Sequence, residues 1–387
     1  MKIRVERDVL ADAVAWTARA LPARPTVPVL AGMRLQAAAE LTLSSFDYDV
    51  SAQAAVPVMA EEEGSALVSG RLLAEISRSL PARPVEITAE GGKAVLTCGS
   101  ATFTLLTMPE EEYPALPEMP EAAGSVGSDA FASAVSQSAA AAGRDDTLPS
   151  LTGIRIEIEG DTLTLISTDR YRLAVRELRW TPARPGLSAA VLVPARALAE
   201  TARSLTTGAE VSIALALPGG DGSGDSGSGL GATGETGMIG FEGGGRRTTT
   251  RLIGGEFPRY QALLPKQISS TAELPTSLLV EAVKRVALVA DRNTAVRLAF
   301  SPGQLVLEAG TGEEAQAVEV LEAGYDGEEL SIAFNPQFLL DGLSALDSDT
   351  ARMSFTEPGK PALITGKPAP DGEPDYRYLL MPIRLGS

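Results

Sequence analysis

The feature that most constrains this chain is a segment that occurs three times. Asp8 to Arg34 reads DVLADAVAWTARALPARPTVPVLAGMR, Ser128 to Arg155 reads SDAFASAVSQSAAAAGRDDTLPSLTGIR, and Ser277 to Arg297 reads SLLVEAVKRVALVADRNTAVR. The first reads as an apolar-faced helix, a Pro-bounded turn and a strand. Its Leu10, Ala13, Val14 and Thr17 fall at i, i+3, i+4 and i+7, the spacing of one helix face. An Ala-Val pair recurs at Ala13/Val14, Ala134/Val135 and Ala282/Val283, at offsets of 121 and 148 residues. The longer interval contains a Gly/Ser-rich block, Pro218–Gly237, with no counterpart in the first; without its 20 residues the interval is 128. Three related units follow, with expected boundaries at 1–121, 122–256 and 257–387. The block is expected to be a flexible, disordered and dispensable linker.

Within each unit the pattern predicts helix, strands, helix, strands. The first has strands over Val29–Gln36, Leu41–Ala52 and Ser65–Val68, a helix over Arg71–Leu80, and strands over Val85–Ala89 and Ala94–Leu106. The second has Gly153–Glu159 and Thr162–Glu177, a helix over Ala195–Leu205, then Glu210–Leu217 and Met238–Leu252 flanking the block. The third has Val296–Ser301, Gln304–Ala309 and Ala315–Leu321, a helix over Pro336–Leu346, then Ala351–Phe355, Pro361–Thr365 and Tyr378–Ile383. Alternation such as Ile154, Ile156, Ile158 fits half-buried antiparallel strands, so the fold class is α+β. The Pro-rich stretches Met108–Pro120 and Glu256–Pro265 read as extended connectors, the first solvated through Glu110–Glu112.

The chain has no histidine and one cysteine, Cys98. That removes histidine bases, Ser-His and Cys-His dyads, an internal disulfide framework and nearly every zinc arrangement. No phosphate-cradling Gly-rich loop opens a helix. No cofactor and no metal are expected. A nuclease or phosphotransferase built from carboxylates and a divalent cation is one rival reading, and a protein-interaction scaffold is another. No apolar run approaches the length of about 18 residues that a membrane span needs, and MKIRVERDVL lacks an apolar signal core, so a cytoplasmic protein is expected.

A net charge of −17 argues against a chain coated nonspecifically with nucleic acid, so the placement of its 33 Lys and Arg matters. The two middle helices align without gaps: Arg71 with Arg196, Glu75 with Glu200, Arg78 with Arg203, Leu80 with Leu205. A spacing of seven puts each arginine pair on one helix face, opposite Leu73, Ile76 and Leu80 in the first. Arg24, Arg83, Arg144, Lys284, Arg285 and Arg292 lie in or beside the other helices. Such a set suits sequence-independent, salt-dependent phosphate binding, and without interleaved aromatics it does not suggest single-strand stacking.

The motifs RPTVPVLAGMRL (24–35), STDRYRLA (167–174), EFPRYQALLP (256–265), FNPQFLLDGLSAL (334–346) and YLLMPIRL (378–385), in this order and on three repeats, resemble the bacterial DNA polymerase III β subunits, the sliding clamps. The resemblance runs nearly end to end outside the Gly-rich block. It implies three clamp domains per chain, sheets outside and helices inside, closed into a ring as a head-to-tail homodimer around duplex DNA. It also implies a non-catalytic processivity factor that tethers the replicative polymerase, the clamp loader and other proteins carrying a clamp-binding motif. The arginines would then face the duplex without reading sequence.

By motif match, the resemblance places a partner-peptide pocket at Leu151, Thr168, Arg170, Tyr171, Arg172, Leu173, Pro258, Leu263, Asn335, Phe338, Pro361, Leu379, Leu380, Met381, Pro382, Ile383 and Arg384. It places ring closure at Phe103 of one subunit against Leu288 and Val289 of the other. Two departures from the family pattern stand out: Arg170-Tyr171 where Gly-His is frequent, and Ala262 where arginine is frequent. A duplicate clamp with a specialised role, such as resistance to an antibiotic that occupies the pocket, would carry such changes; so would an ordinary lineage variant.

Overall fold

The computed structural model describes residues 1–206, 208–217, 237–290, 294–310, 315–357, 359–368 and 372–383. All but the last residue of the Gly-rich block, Arg292, and the pocket candidate Arg384 lie outside the described residues. The described chain forms six α-helices: α1 (Arg7–Thr17), α2 (Gly70–Ser79), α3 (Ser128–Ala139), α4 (Ala195–Ser204), α5 (Thr276–Val286) and α6 (Pro336–Ser344). The strands form antiparallel sheets of five, nine and twelve members.

The chain packs as two compact units. One comprises Met1–Ala132, Thr181–Pro185 and Glu200–Leu252 and holds the five- and nine-stranded sheets. Helix α1 buries Leu10, Ala13, Val14, Trp16 and Thr17, which contains the predicted face, and packs on α2, which buries Leu73 and Ile76. The nine-stranded sheet joins strands of two repeats: Arg246–Arg251 pairs with Val50–Pro57, and Ser51 and Thr249 share a buried hydroxyl hydrogen bond of 2.6 Å. The first connector is anchored rather than merely solvated. Glu110 accepts from Arg34 Nε and Ser65 Oγ, both at 2.7 Å, and Tyr113 packs with Val29, Leu30, Phe46 and Leu67.

The other unit comprises Ser133–Trp180, Gly186–Ala199 and Ile253–Ser387 and holds the twelve-stranded sheet. Its core includes Leu279, Val283, Phe300, Phe334, Leu339 and Tyr378, each at most 1% exposed. Burying one such aliphatic side chain contributes about 1.5–3 kcal/mol. Tyr378 lies directly on Gly342, where any Cβ would run into its ring, so α6 meets the C-terminal strand Tyr376–Leu380 at close approach.

Several predicted strands are hairpins. Leu41–Ala52 divides into Glu40–Phe46 and Val50–Pro57; Thr162–Glu177 into Thr162–Thr168 and Arg172–Arg179; Ala94–Leu106 into Lys93–Cys98 and Ala101–Leu106; Met238–Leu252 into Met238–Gly243 and Arg246–Arg251. The last two reverse at glycines with positive φ, Gly99 and Gly244-Gly245. The first two reverse without glycine. Asp47 and Asp169 each accept from the backbone N–H groups two and three residues on, and Tyr48 and Arg170 take φ of 75° and 78°. An aspartate side chain thus does the work of a glycine turn.

Candidate functional sites: a peptide cleft and two arginine-bearing helices

The cleft is built on the turn from Thr168 to Arg172. Thr168 Oγ1 donates to the Arg172 carbonyl at 2.7 Å and accepts from the Arg170 N–H at 3.2 Å; Asp169 Oδ1 accepts from the N–H groups of Tyr171 and Arg172, each at 3.0 Å. These bonds hold Arg170 in the left-handed region, a conformation that costs a non-glycine residue about 1 kcal/mol or more. Glycine would adopt it freely.

Arg172 is the centre of the arrangement. Its side chain is buried, yet Nε donates to Asp169 Oδ2 at 2.8 Å and Nη1 to Asp341 Oδ2 at 2.5 Å. The guanidinium lies over the Phe338 ring, 4.2 Å from its centroid. Burial alone would favour loss of its proton, but Tyr378, Asp341 and Asp169 outweigh burial and raise its pKa further. The Tyr378 hydroxyl, raised by burial against the pull of Arg172, donates to the Phe338 carbonyl at 2.8 Å. A side chain caps the start of α6, where Asn335 Oδ1 accepts from the N–H groups of Gln337 and Phe338 at 2.9 and 3.1 Å. The Tyr171 ring lies tilted against Phe338 at 6.3 Å while remaining 63% exposed.

The C-terminal tail runs beside this turn. Strand Tyr376–Leu380 pairs with Arg172–Arg179, placing Leu379 opposite Leu173 and Leu380 opposite Arg172. The Met381 N–H donates to the Tyr171 carbonyl and the Ile383 N–H to the Ala333 carbonyl, both at 2.8 Å. Leu173 and Leu379 are buried with Ile166, Val175 and Tyr260, and Phe257 and Leu264 of the second connector pack against them. Leu151 and Thr168 are buried, Pro361 and Pro382 half-buried, and Pro258, Leu263, Met381 and Ile383 exposed. Pro361 directly precedes Ala362, which lies opposite Leu380. The geometry therefore brings Thr168 to Leu173, Asn335, Phe338 and the tail together.

A cleft of about 440 Å³ opens on the polar side of Arg172 and Phe338, lined also by Ala142, Arg144, Asp145, Asp169, Gln337 and Asp341. It contains Arg144, which the sequence grouped with the phosphate-binding residues. Asp169, Asp341, Tyr260 and Tyr378 are contributors that the sequence reading did not single out. Asp169 and Asp341 sit inside two of the quoted motifs, and Asp341 stands three residues after Phe338 on the same helix face, a signal available before the structure.

The basic residues fall into different settings. On α2, Arg71 and Arg78 are exposed, and Arg71 Nη2 donates to the carbonyls of Pro22 and Ala23, each at 2.8 Å. Arg24 is exposed directly after those two residues, and Arg83 is exposed beside the Gly99 turn. On α4, Arg196 and Arg203 are exposed while Leu198, Ala202 and Leu205 are buried. On α5, Lys284 pairs with Glu281 at 2.9 Å and Arg285 with Glu319 at 2.5 Å. Two arginines outside the predicted set, Arg19 and Arg246, flank the Trp16 ring at 5.8 and 5.6 Å.

The ring-closure candidates lie on exposed features. Phe103 is half-buried on Ala101–Leu106, an edge strand of the five-stranded sheet whose last residue, Leu106, is 73% exposed. Leu288 is 84% exposed, whereas Val289 packs partly against the core. In Ala317–Asp326, residues Ala317–Ala323 pair on one side only, with Gly303–Ala309, and Val318 and Val320 are exposed. Among the described residues no group of three or more Cys, Asp or Glu is arranged to hold a metal ion, and no helix is long and apolar enough to cross a membrane.

Comparison with known proteins agrees with this architecture. The family models for the N-terminal, central and C-terminal domains of the DNA polymerase III beta subunit match residues 1–117, 125–259 and 261–384. The chain is 61% identical to the beta sliding clamp of Streptomyces coelicolor and 44% identical to the beta sliding clamp homolog GriR of Streptomyces muensis, in both cases over 100% of each protein. It superimposes on the crystal structure of the Pseudomonas aeruginosa sliding clamp bound to griselimycin with a TM-score of 0.86, at 28% identity and full coverage of both chains. With three clamp domains matched in order along its length, the chain belongs to the DNA polymerase III beta subunit family, the bacterial beta sliding clamps.

Proposed function

We propose that two copies of this chain close head to tail around duplex DNA and slide on it, holding the replicative polymerase, the clamp loader and other motif-bearing proteins at the template. The reading is of a cytoplasmic, non-catalytic tether: affinity for a partner becomes processivity through topology. The observation that carries it is the end-to-end match of a chain with this cleft to a beta sliding clamp at 61% identity. That value stands against 44% for the homolog GriR, which favours the ordinary clamp over a specialised duplicate.

Ring closure would use the exposed edge at Phe103 and Leu106 of one copy against Leu288, Val289 and the one-sided strand bearing Val318 and Val320 of the next. An unpaired, apolar strand edge invites a further strand. The solution mass is expected at twice the 40.2 kDa of one chain, falling toward a single chain in Leu106→Asp. A monomeric wild type would contradict the ring.

The partner motif would lay apolar side chains against Tyr171, Phe338 and Met381, with the backbone of the tail as its edge. The griselimycin-bound Pseudomonas aeruginosa clamp supports an antibiotic as a further ligand. Deleting Met381–Ser387 removes the bonds to Tyr171 and Ala333 but leaves the strand up to Leu380 in place. Peptide binding is expected to fall below detection in a fluorescence titration while the circular dichroism spectrum is retained. Undiminished binding by the truncated chain would show that the pocket lies elsewhere.

A further inference from the structure

Among the basic residues of the first unit, Arg71 differs from Arg24 in what its guanidinium does. Both N–H groups of Nη2 are directed at main-chain carbonyls, those of Pro22 and Ala23. The segment they hold is Leu21–Pro28, with prolines at 22, 25 and 28. It is bracketed by backbone bonds from Leu21 N–H to Ala18 and from Leu30 N–H to Val27. A second contact pins the same segment to the same helix. A Cβ on Gly70 would stand 2.6 Å from Leu21 Cδ1 and 3.2 Å from Met33 Cβ, so the start of α2 lies flush against the first residue of the loop. Arg24 sits exposed directly after the two tethered carbonyls.

We infer that Arg71 is a positioning residue, which fixes the Pro22–Ala23 backbone so that Arg24 is presented to a DNA phosphate. The inference rests on the proposed DNA-encircling reading and assigns unequal roles to two residues that sequence alone treats alike. A planar fork reaches two carbonyls at once, and the proline-rich loop leaves Arg24 little freedom once those carbonyls are held. Preorganisation of this kind acts through the orientation of the presented charge.

The test is a double-mutant cycle on the full chain, with Arg24→Ala, Arg71→Ala and the double variant. Equilibrium binding of a short duplex is measured across a series of salt concentrations. The slope of log Kobs against log salt is expected to shrink by about 0.9 in each single variant and by the same about 0.9 in the double, one phosphate contact being lost once. In the Arg24→Ala background, the further change Arg71→Ala is expected to alter affinity by less than about twofold. A slope reduced by about 1.8 in the double would mean two independent phosphate contacts and would overturn the inference. Hydrogen exchange without DNA reads the tether by itself: the amides of Leu21 and Leu30, whose bonds to the Ala18 and Val27 carbonyls bracket the loop, are expected to exchange faster in Arg71→Ala, and unchanged exchange would overturn it. Absence of any wild-type duplex affinity would instead overturn the DNA reading, a failure the exchange measurement separates from failure of the tether.

Discussion

Replacing Arg172 with alanine is expected to destabilise the second unit by about 3–5 kcal/mol and to remove peptide binding with it. The residue is 7% exposed and bridges two carboxylates, Asp169 of the hairpin turn and Asp341 of α6, while covering one face of Phe338. Truncation leaves two partly buried carboxylates without their cation, and such stranded charges, more than the lost attraction, set the size of the effect. The turn that presents Tyr171 and the helix that presents Phe338 would then lose their shared anchor. Denaturant titration of Arg172→Ala, Asp341→Asn and the double variant measures the coupling, expected at about 0.5–3 kcal/mol for contacting residues. A loss below about 1 kcal/mol in Arg172→Ala would show that the network is incidental.

Reversing the charge at Arg71, Arg78, Arg196 and Arg203 together is expected to produce the largest change in DNA affinity. Each phosphate contact removed reduces the salt slope by about 0.9, and each introduced carboxylate repels the backbone besides. Dimer mass and peptide affinity are expected to remain, because the cleft and the strand edges lie on other residues. On α5, Lys284 and Arg285 face Glu281 and Glu319. Unchanged duplex binding after the fourfold reversal would sink the basic-face assignment.

Much of this was legible in the sequence because repetition exposes it. The Ala-Val pairs at 13/14, 134/135 and 282/283 mark three helices that the structure places at α1, α3 and α5, and all six of these side chains are buried. The hairpins were less legible. At Asp47 and Asp169 a side-chain carboxylate supplies the turn, so FDYDV and TDRYR contain none of the Gly or Pro punctuation that marks a reversal. The cleft was legible as motifs but not as a network. Arg172 and Asp341 are 169 residues apart, and the pairing of Arg172–Arg179 with Tyr376–Leu380 helps to bring their elements together. Long-range ion pairs of this kind leave no local spacing to read.

The central claim is topological, and retention on DNA tests it most directly. Wild-type protein is loaded by a clamp loader onto closed circles, and half of the sample is then linearised. The ring predicts that protein stays on the circles and is lost from the free ends of the linear form. Equal retention on both would mean ordinary binding to the duplex surface, and would contradict an encircling clamp.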